Sequence, residues 1–103
     1  MREIGNVESY KQTDKGLSVV LVGSPTCQPC KQLSAVFDTI PEDGILFYKA
    51  NIMDLPEVFM DLNIMSIPTV LFKKDGKICF RCGAVGPTEL KEKIQELRSF
   101  KGE

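Results

Sequence analysis

The apolar run over residues 17–22 restricts the fold of this chain more than any other segment. It is interrupted only by Ser18, contains three valines, and is followed by Gly23-Ser24-Pro25, residue types that end strands. A strand that is apolar on both sides must be covered on both faces, as the central strands of parallel sheets are. The run therefore predicts the central strand of a sheet with helices packed on each side.

Helical and extended patterns alternate along the rest of the chain. Helices are predicted over residues 7–15 after an Asn6 cap, over residues 30–40 before Pro41, over residues 55–62, and from a Thr88 cap onwards. Strands are predicted over residues 45–52, 69–72 and 77–82, with a short one near residues 2–4, and Asp75-Gly76 is typical of a hairpin turn. Because helix-linked strands pair in parallel, the predicted fold class is α/β, with a central mixed sheet of four to five strands flanked by helices on both faces.

Length and charge narrow the function. A chain of 103 residues fits one domain spanning residues 1–103. The formal net charge of −1 argues against binding to nucleic acids and to anionic membranes. The first residues lack the apolar core of a signal peptide and no apolar run has the length of a bilayer span, so we expect a cytoplasmic protein.

The chain contains four cysteines and no histidine. In a reducing compartment, cysteines in this number are more often redox-active or metal-binding than structural. The absence of histidine excludes Cys/His catalytic dyads and every zinc site that needs an imidazole. Redox chemistry and metal binding by cysteines alone remain as the alternatives.

The stretch Cys27-Gln28-Pro29-Cys30 lies between the predicted central strand and a helix. The free N–H groups and the dipole of a helix N-terminus stabilise a thiolate, which predicts Cys27 as the nucleophile and Cys30 as the resolving thiol. Gln28 and Pro29 set the turn between them and tune the reduction potential. The alternative interpretations are half of a zinc site or two inert thiols, but a C-x-x-C pair placed after an apolar strand favours the redox role.

A second landmark is Ser66-Ile67-Pro68-Thr69, where a proline opens a predicted strand. Together with the other matching motifs, which follow in the family's order and spacing, it makes the chain resemble the thioredoxin family over essentially its whole length. These motifs are Cys27-Gln28-Pro29-Cys30, Lys49-Ala50-Asn51-Ile52, Ile64-Met65-Ser66-Ile67-Pro68-Thr69, Lys74-Asp75-Gly76 and Gly83-Ala84.

The resemblance implies a thioredoxin fold and a protein-disulfide reductase that uses Cys27 and Cys30 without a cofactor. It implies that Pro68 is cis and faces the sulfurs, and that the Ile67 backbone pairs with an extended substrate segment. The docking patch would consist of Gln28, Pro29, Ile67, Pro68, Cys82 and Gly83. We expect a monomer that acts on protein disulfides and is recycled by a flavin-dependent thioredoxin reductase.

Four positions depart from the family pattern. Thr26 stands where a tryptophan is usual, and Gly23 stands where a second aromatic residue is common, so the docking surface is less aromatic. Leu21 replaces the usual buried aspartate, which is thought to handle the proton of the resolving thiol. Lys49 matches the lysine that pairs with that aspartate, so it is either a modulator of the active-site pKa or a solvated surface residue. Gln28 replaces a glycine, which should shift the reduction potential.

Cys79 and Cys82 form a second C-x-x-C pair on a predicted strand. Residues three apart on a strand are ~10 Å apart and point to opposite faces, whereas a disulfide needs Cα atoms within about 7 Å. They should therefore pack as small apolar residues and not bond to each other unless a bulge intervenes. Two alternatives remain: Cys82 as a third thiol near Cys27, and one zinc ion bound by all four cysteines.

Met53, Met60 and Met65 are predicted to fill the core. Two other functions compete with a disulfide reductase. One is a binding module that uses the fold as a scaffold with incidental redox activity, which the missing tryptophan and aspartate favour. The other is a zinc-binding protein.

Overall fold

Five strands form one mixed sheet in the computed structural model, which describes residues 1–100. The strands are β1 (Arg2–Ile4), β2 (Leu17–Gly23), β3 (Ile45–Asn51), β4 (Thr69–Lys74) and β5 (Lys77–Cys82). The helices are α1 (Val7–Lys11), α2 (Gln28–Phe37), α3 (Pro56–Asp61) and α4 (Pro87–Arg98). None of the helices within residues 1–100 has the length and apolar character needed to cross a membrane.

The strand order is β1-β3-β2-β4-β5. The strands β1, β3 and β2 run parallel to one another. Strand β4 pairs antiparallel with β2, and β5 pairs antiparallel with β4. The central strand, β2, is buried along six of its seven residues, as its apolar sequence predicts. The predicted fold class, a mixed sheet flanked by helices on both faces, is confirmed.

Alternate residues of β2 supply two separate core layers. Val19 and Leu21 pack with α2 and α4 on one face, in the layer we call the α2/α4 core. Val20 and Val22 pack with residues of α3 on the other face, in the layer we call the α3 core. Successive side chains of a strand point to opposite faces, so a fully apolar strand is required wherever both faces are covered.

The first helix begins where predicted but ends early. The Asn6 side chain accepts a hydrogen bond from the Ser9 amide, and the Ser9 hydroxyl oxygen accepts one from the Asn6 amide, which together form a capping box. The α-helix ends at Lys11 and continues as a 3-10 turn over Gln12–Asp14. Gly16 then takes a φ of 64°, which a residue with a side chain rarely adopts.

Two other helix boundaries differ from the sequence prediction. The helix predicted over residues 30–40 is Gln28–Phe37, because Cys27 itself is the N-cap and Pro29 lies in the first turn. The last helix is capped by Gly86 and not by Thr88. Pro87 is the reason, since proline is favoured at the first helical position and the cap must precede it.

The β4–β5 hairpin contains a bulge that the sequence did not reveal. Asp75 and Gly76 both have positive φ, as expected for the predicted tight turn. The pairing shifts, however, between Phe72↔Phe80 and Lys73↔Ile78, which leaves Cys79 as the additional residue.

The bulge overturns the prediction that Cys79 and Cys82 point to opposite faces. An inserted residue reverses the alternation on one side of it. Both cysteines consequently pack against the α2/α4 core. They are free thiols, as expected, and half-buried.

The prediction that three methionines fill the core is wrong. Met53, Met60 and Met65 are 75%, 74% and 91% exposed. They lie on α3 and in the segments on either side of it, and this short helix buries Phe59 instead. The apolar residue type alone suggested burial, and a helix of six residues is too short for its sequence pattern to show which side faces the core.

A buried lysine fastens the N-terminal segment to the sheet. Lys73 on β4 is 1% exposed, and its ammonium donates to Thr13 Oγ1 at 2.6 Å and to Asp14 Oδ1 at 2.8 Å. The same ammonium lies 4.4 Å from the centre of the Tyr10 ring, within reach of a cation–π interaction. These partners replace the water that a buried ammonium loses.

Candidate active site

Cys27 and Cys30 lie at the junction between β2 and α2. Cys27 is the N-cap of α2, and its sulfur accepts a hydrogen bond from the Cys30 amide at 3.2 Å. The two cysteines form a disulfide with their Cα atoms 5.2 Å apart. The sequence prediction of a dithiol pair at a helix N-terminus therefore agrees with the geometry.

The two sulfurs have different environments. Cys27 is half-buried, whereas Cys30 is 5% exposed. A sulfur at a helix N-cap lies next to unpaired amide groups and the positive end of the helix dipole, and both favour a thiolate. Cys27 thus combines access from solvent with stabilisation of its reactive form, while Cys30 is shielded behind it.

The predicted docking residues gather at this end of the sheet. The Ile67–Pro68 peptide bond is cis, as the resemblance implies, and Pro68 is buried just before β4 begins. Thr69, the first residue of β4, pairs with Val22 of β2. A Cβ built on Gly83 would lie 3.7 Å from the Pro68 carbonyl oxygen, so the two segments are adjacent.

The remaining residues of the predicted patch differ in exposure. Gln28 and Pro29 are exposed in the first turn of α2, and Gly83 is exposed after β5. Ile67 and Cys82 are half-buried. Accessible backbone and partly exposed apolar side chains suit an extended segment that binds along an open surface.

Gly23 lies against the buried sulfur. A Cβ built on Gly23 would stand 2.7 Å from Cys30 Sγ and 2.9 Å from Cys30 Cβ, closer than real Cβ atoms come. Only glycine allows this approach of backbone to sulfur. From the sequence, Gly23 is a strand-ending residue and a missing aromatic residue, although a glycine at the end of an apolar strand is also a signal of close backbone approach.

A cleft of about 550 Å³ opens beside Cys30. Its wall includes Gly23, Leu21 and Lys49. Lys49 is half-buried, and its ammonium lies 3.3 Å from the Glu3 carboxylate. Lys49 is thus placed on the Cys30 side of the sheet, with its side chain 43% exposed to solvent. Glu3 was not singled out from the sequence, because an acidic residue in a three-residue edge strand carries no signal.

The second cysteine pair lies in a less reactive setting. Burial raises the pKa of the Cys82 thiol, Lys93 lowers it in part, and Glu89 raises it further. A protonated thiol is a weak nucleophile, so burial makes Cys82 less reactive as a third thiol. Within residues 1–100, no three or more cysteine or acidic side chains are grouped to hold a metal ion, so a four-cysteine zinc site is not formed.

Comparison with known proteins points to one family. The thioredoxin family profile matches residues 5–96. The chain is 30% identical over 81 residues to the thioredoxin of Listeria monocytogenes, covering 76% of this chain and 79% of that protein. It is 36% identical over 72 residues to the thioredoxin of Mycoplasmoides gallisepticum, covering 67% and 72%.

A solved structure shares the fold. The thioredoxin of Malassezia sympodialis superposes with a TM-score of 0.85, covering 96% of this chain and 91% of the other, at 24% identity. At that identity the likeness establishes the fold alone. The order of strands and helices described above is therefore that of a thioredoxin fold.

Proposed function

Since this chain belongs to the thioredoxin family and is a thiol–disulfide oxidoreductase, we propose that it reduces disulfide bonds in other proteins. The observation that carries the proposal is the asymmetry of its cysteine pair. Cys27 is accessible at a helix N-cap, and Cys30 is buried within disulfide distance of it. A two-step exchange requires an accessible nucleophile and a second thiol within bonding distance of it, and the burial of Cys30 leaves Cys27 as the sulfur that a substrate can reach.

In the first step, the Cys27 thiolate attacks one sulfur of the substrate disulfide. A mixed disulfide forms between Cys27 and the substrate, and the other substrate sulfur leaves as a thiolate. In the second step, the Cys30 thiolate attacks Cys27 Sγ, the Cys27–Cys30 disulfide forms, and the second substrate sulfur leaves. The disulfide form of this protein is the product of that step.

The substrate segment would lie across the patch formed by Gln28, Pro29, Ile67, Pro68, Cys82 and Gly83. The half-buried Ile67 precedes β4, where its backbone is available to pair with an extended chain. Specificity would come from the few side chains that flank this backbone, because the patch lacks the aromatic residues usual in the family.

Reduction of the oxidised protein would close the cycle. The family suggests a flavin-dependent thioredoxin reductase as the electron donor, with this protein acting as a monomer in the cytoplasm. The formal net charge of −1 is compatible with protein substrates and disfavours nucleic acids.

Insulin reduction by dithiothreitol tests the proposal. Wild type should accelerate the reduction, Cys27→Ser should abolish the acceleration, and Cys79→Ser, which changes a free cysteine outside the patch, should retain it as the matched control. Wild type that is no faster than dithiothreitol alone would overturn the proposal. That result would favour the binding module, for which the specific observation is the buried Leu21 beside the active site.

A further inference from the structure

The buried thiol of the active site needs a route for its proton. If the proposed function holds, Cys30 must lose a proton before it attacks the mixed disulfide, yet it is 5% exposed. Its sulfur faces the Gly23 backbone at the edge of the cleft. The cleft is therefore the place where charge can act on Cys30.

Charged groups reach the cleft from the elements around it other than β2. Glu3 comes from β1, Lys49 from β3, Lys31 from α2, Asp38 from the end of α2, and Asp54 from the segment after β3. The residue of β2 that pairs with Lys49 is Leu21. It is apolar and 1% exposed, so it can neither accept a proton nor stabilise a thiolate.

Glu3 and Lys49 differ from the other charges because they are fixed to each other. Glu3 pairs with Lys49 across β1 and β3, and Lys49 pairs with Leu21 across β3 and β2. Paired residues of neighbouring strands point to the same face, so both charges lie on the face that packs against α2. Their ion pair, 3.3 Å long, sets where the ammonium sits in the cleft.

We infer that Glu3 is a positioning residue for the resolving step, acting on the protonation of Cys30 through Lys49. The Lys49 ammonium favours the Cys30 thiolate across the cleft. The Glu3 carboxylate holds that ammonium toward β1, on the side of β3 away from β2 and Cys30, and so weakens its effect on the thiolate. The Cys30 proton leaves to water in the cleft. The thiolate then forms the bond to Cys27 Sγ as the bond from Cys27 to the substrate breaks, and the departing substrate thiolate takes up a proton from water.

The two charges make opposite predictions. Replacing Lys49 by methionine removes a favourable charge and raises the pKa of Cys30. Replacing Glu3 by glutamine frees the Lys49 ammonium to approach the thiolate and lowers the pKa of Cys30. Because both side chains are partly exposed and screened by solvent, each shift should be about half a pH unit, or about three-fold in the thiolate fraction.

The experiment measures the Cys30 thiol directly. The background variant carries Cys27→Ser, Cys79→Ser and Cys82→Ser, which leaves Cys30 as the sole thiol, and the ¹³Cβ resonance of labelled cysteine is followed against pH. Glu3→Gln should lower the pKa, Lys49→Met should raise it, and Lys49→Arg should restore the background value. In the Lys49→Met background, Glu3→Gln should lose most of its effect.

Matched controls come from the outer surface of α4. Lys91→Met and Glu92→Gln remove the same charges at exposed positions outside the active-site cleft and should leave the pKa of Cys30 unchanged. In single-turnover assays of the intact dithiol, the pH profile of mixed-disulfide resolution should shift in the same directions as the titration.

Unchanged titration in both cleft variants, or shifts of the same sign, would overturn the inference. An undiminished effect of Glu3→Gln in the Lys49→Met background would also overturn it, since Glu3 would then act without Lys49. The titration does not depend on turnover. A protein that shows the opposite shifts but fails to reduce insulin would thus keep this inference and lose the proposed function.

Discussion

Gly23 and Cys30 are so close that a single methyl group on the glycine would stand 2.7 Å from the cysteine sulfur. The contact joins the end of the central strand to the active-site helix. It also explains why residue 23 carries no side chain in a strand that, apart from Ser18, is otherwise apolar and bulky.

Gly23→Ala should destabilise the oxidised protein more than the reduced one. The added Cβ also lies 2.9 Å from Cys30 Cβ, and the disulfide prevents the Cys30 sulfur from turning away. Overpacking of this kind costs about 1–3 kcal/mol. Urea unfolding of both redox forms measures the difference, and each 1.4 kcal/mol should raise the reduction potential by about 30 mV.

The matched control for this change is Gly5→Ala. A Cβ at Gly5 meets no other atom within 4 Å, so that variant should unfold at nearly the same urea concentration as wild type in both redox forms. Equal losses of stability in the oxidised and reduced forms of Gly23→Ala would show that the disulfide does not hold the sulfur against the strand.

Lys73 is buried and its partner Asp14 is half-exposed, so replacing one or the other should change the stability by unequal amounts. Asp14→Asn leaves a buried ammonium without its anion and should lower the free energy of unfolding by about 2 kcal/mol. Lys73→Met fills similar space without charge, and the half-exposed Asp14 carboxylate returns to water, so this variant should be near neutral. Chemical denaturation of both variants gives the comparison, and a larger loss for Lys73→Met would contradict it.

Glu42 should contribute stability that depends on pH. Burial alone would raise the pKa of its carboxyl, but the Phe47 amide at 2.7 Å and the Arg2 guanidinium at 2.6 Å outweigh this and hold the pKa below its ordinary value. A pKa that is lower in the folded state gives stability that is fully present above the unfolded-state pKa. That stability is lost as the pH falls through the folded-state pKa.

Glu42→Gln should therefore cost about 1 kcal/mol at neutral pH and almost nothing in acid, where wild type has lost the same interaction. Urea unfolding at the two pH values measures this, with the exposed Glu92→Gln as the control that changes neither. A cost for Glu42→Gln that stays constant with pH would mean that the hydrogen bonds do not require the charge.

Cys82 should react slowly with alkylating agents at neutral pH, because burial raises the pKa of its thiol. Glu89→Gln should increase its rate of reaction with iodoacetamide and Lys93→Met should decrease it, each by about two-fold. Peptide mass spectrometry on the oxidised protein, where Cys27 and Cys30 are protected, follows Cys82 alone when Cys79 is replaced by serine in every variant. Rates that change in the reverse order would contradict the assigned causes.

Features that several neighbouring residues indicate together were predictable from the sequence. The apolar β2, the Asp75-Gly76 turn and the strand Lys77–Cys82 each rest on several residues that agree, and the structure has them as predicted. The positions of Cys27 and Cys30 followed from the same kind of agreement, since the strand, the proline and the spacing all indicate a helix N-terminus.

Features that depend on contacts between distant segments were not predictable. The burial of Lys73 requires Thr13 and Asp14 to meet it across 60 and 59 residues of chain. The contact between Gly23 and Cys30 requires the exact placement of α2 on β2. The bulge at Cys79 shifts the pairing of β4 and β5 by one residue, and no residue type near it indicates the shift.

The two edge strands of the sheet also affect whether the protein aggregates at high concentration. β1 has only three residues, and β5 is interrupted by its bulge and carries Lys77 and Arg81. A further strand needs a long, regular row of free backbone groups to pair with, and neither border offers one. The bulged hairpin that brings Cys79 and Cys82 to one face thus also disfavours the addition of further strands to this edge of the sheet and the aggregation that would follow.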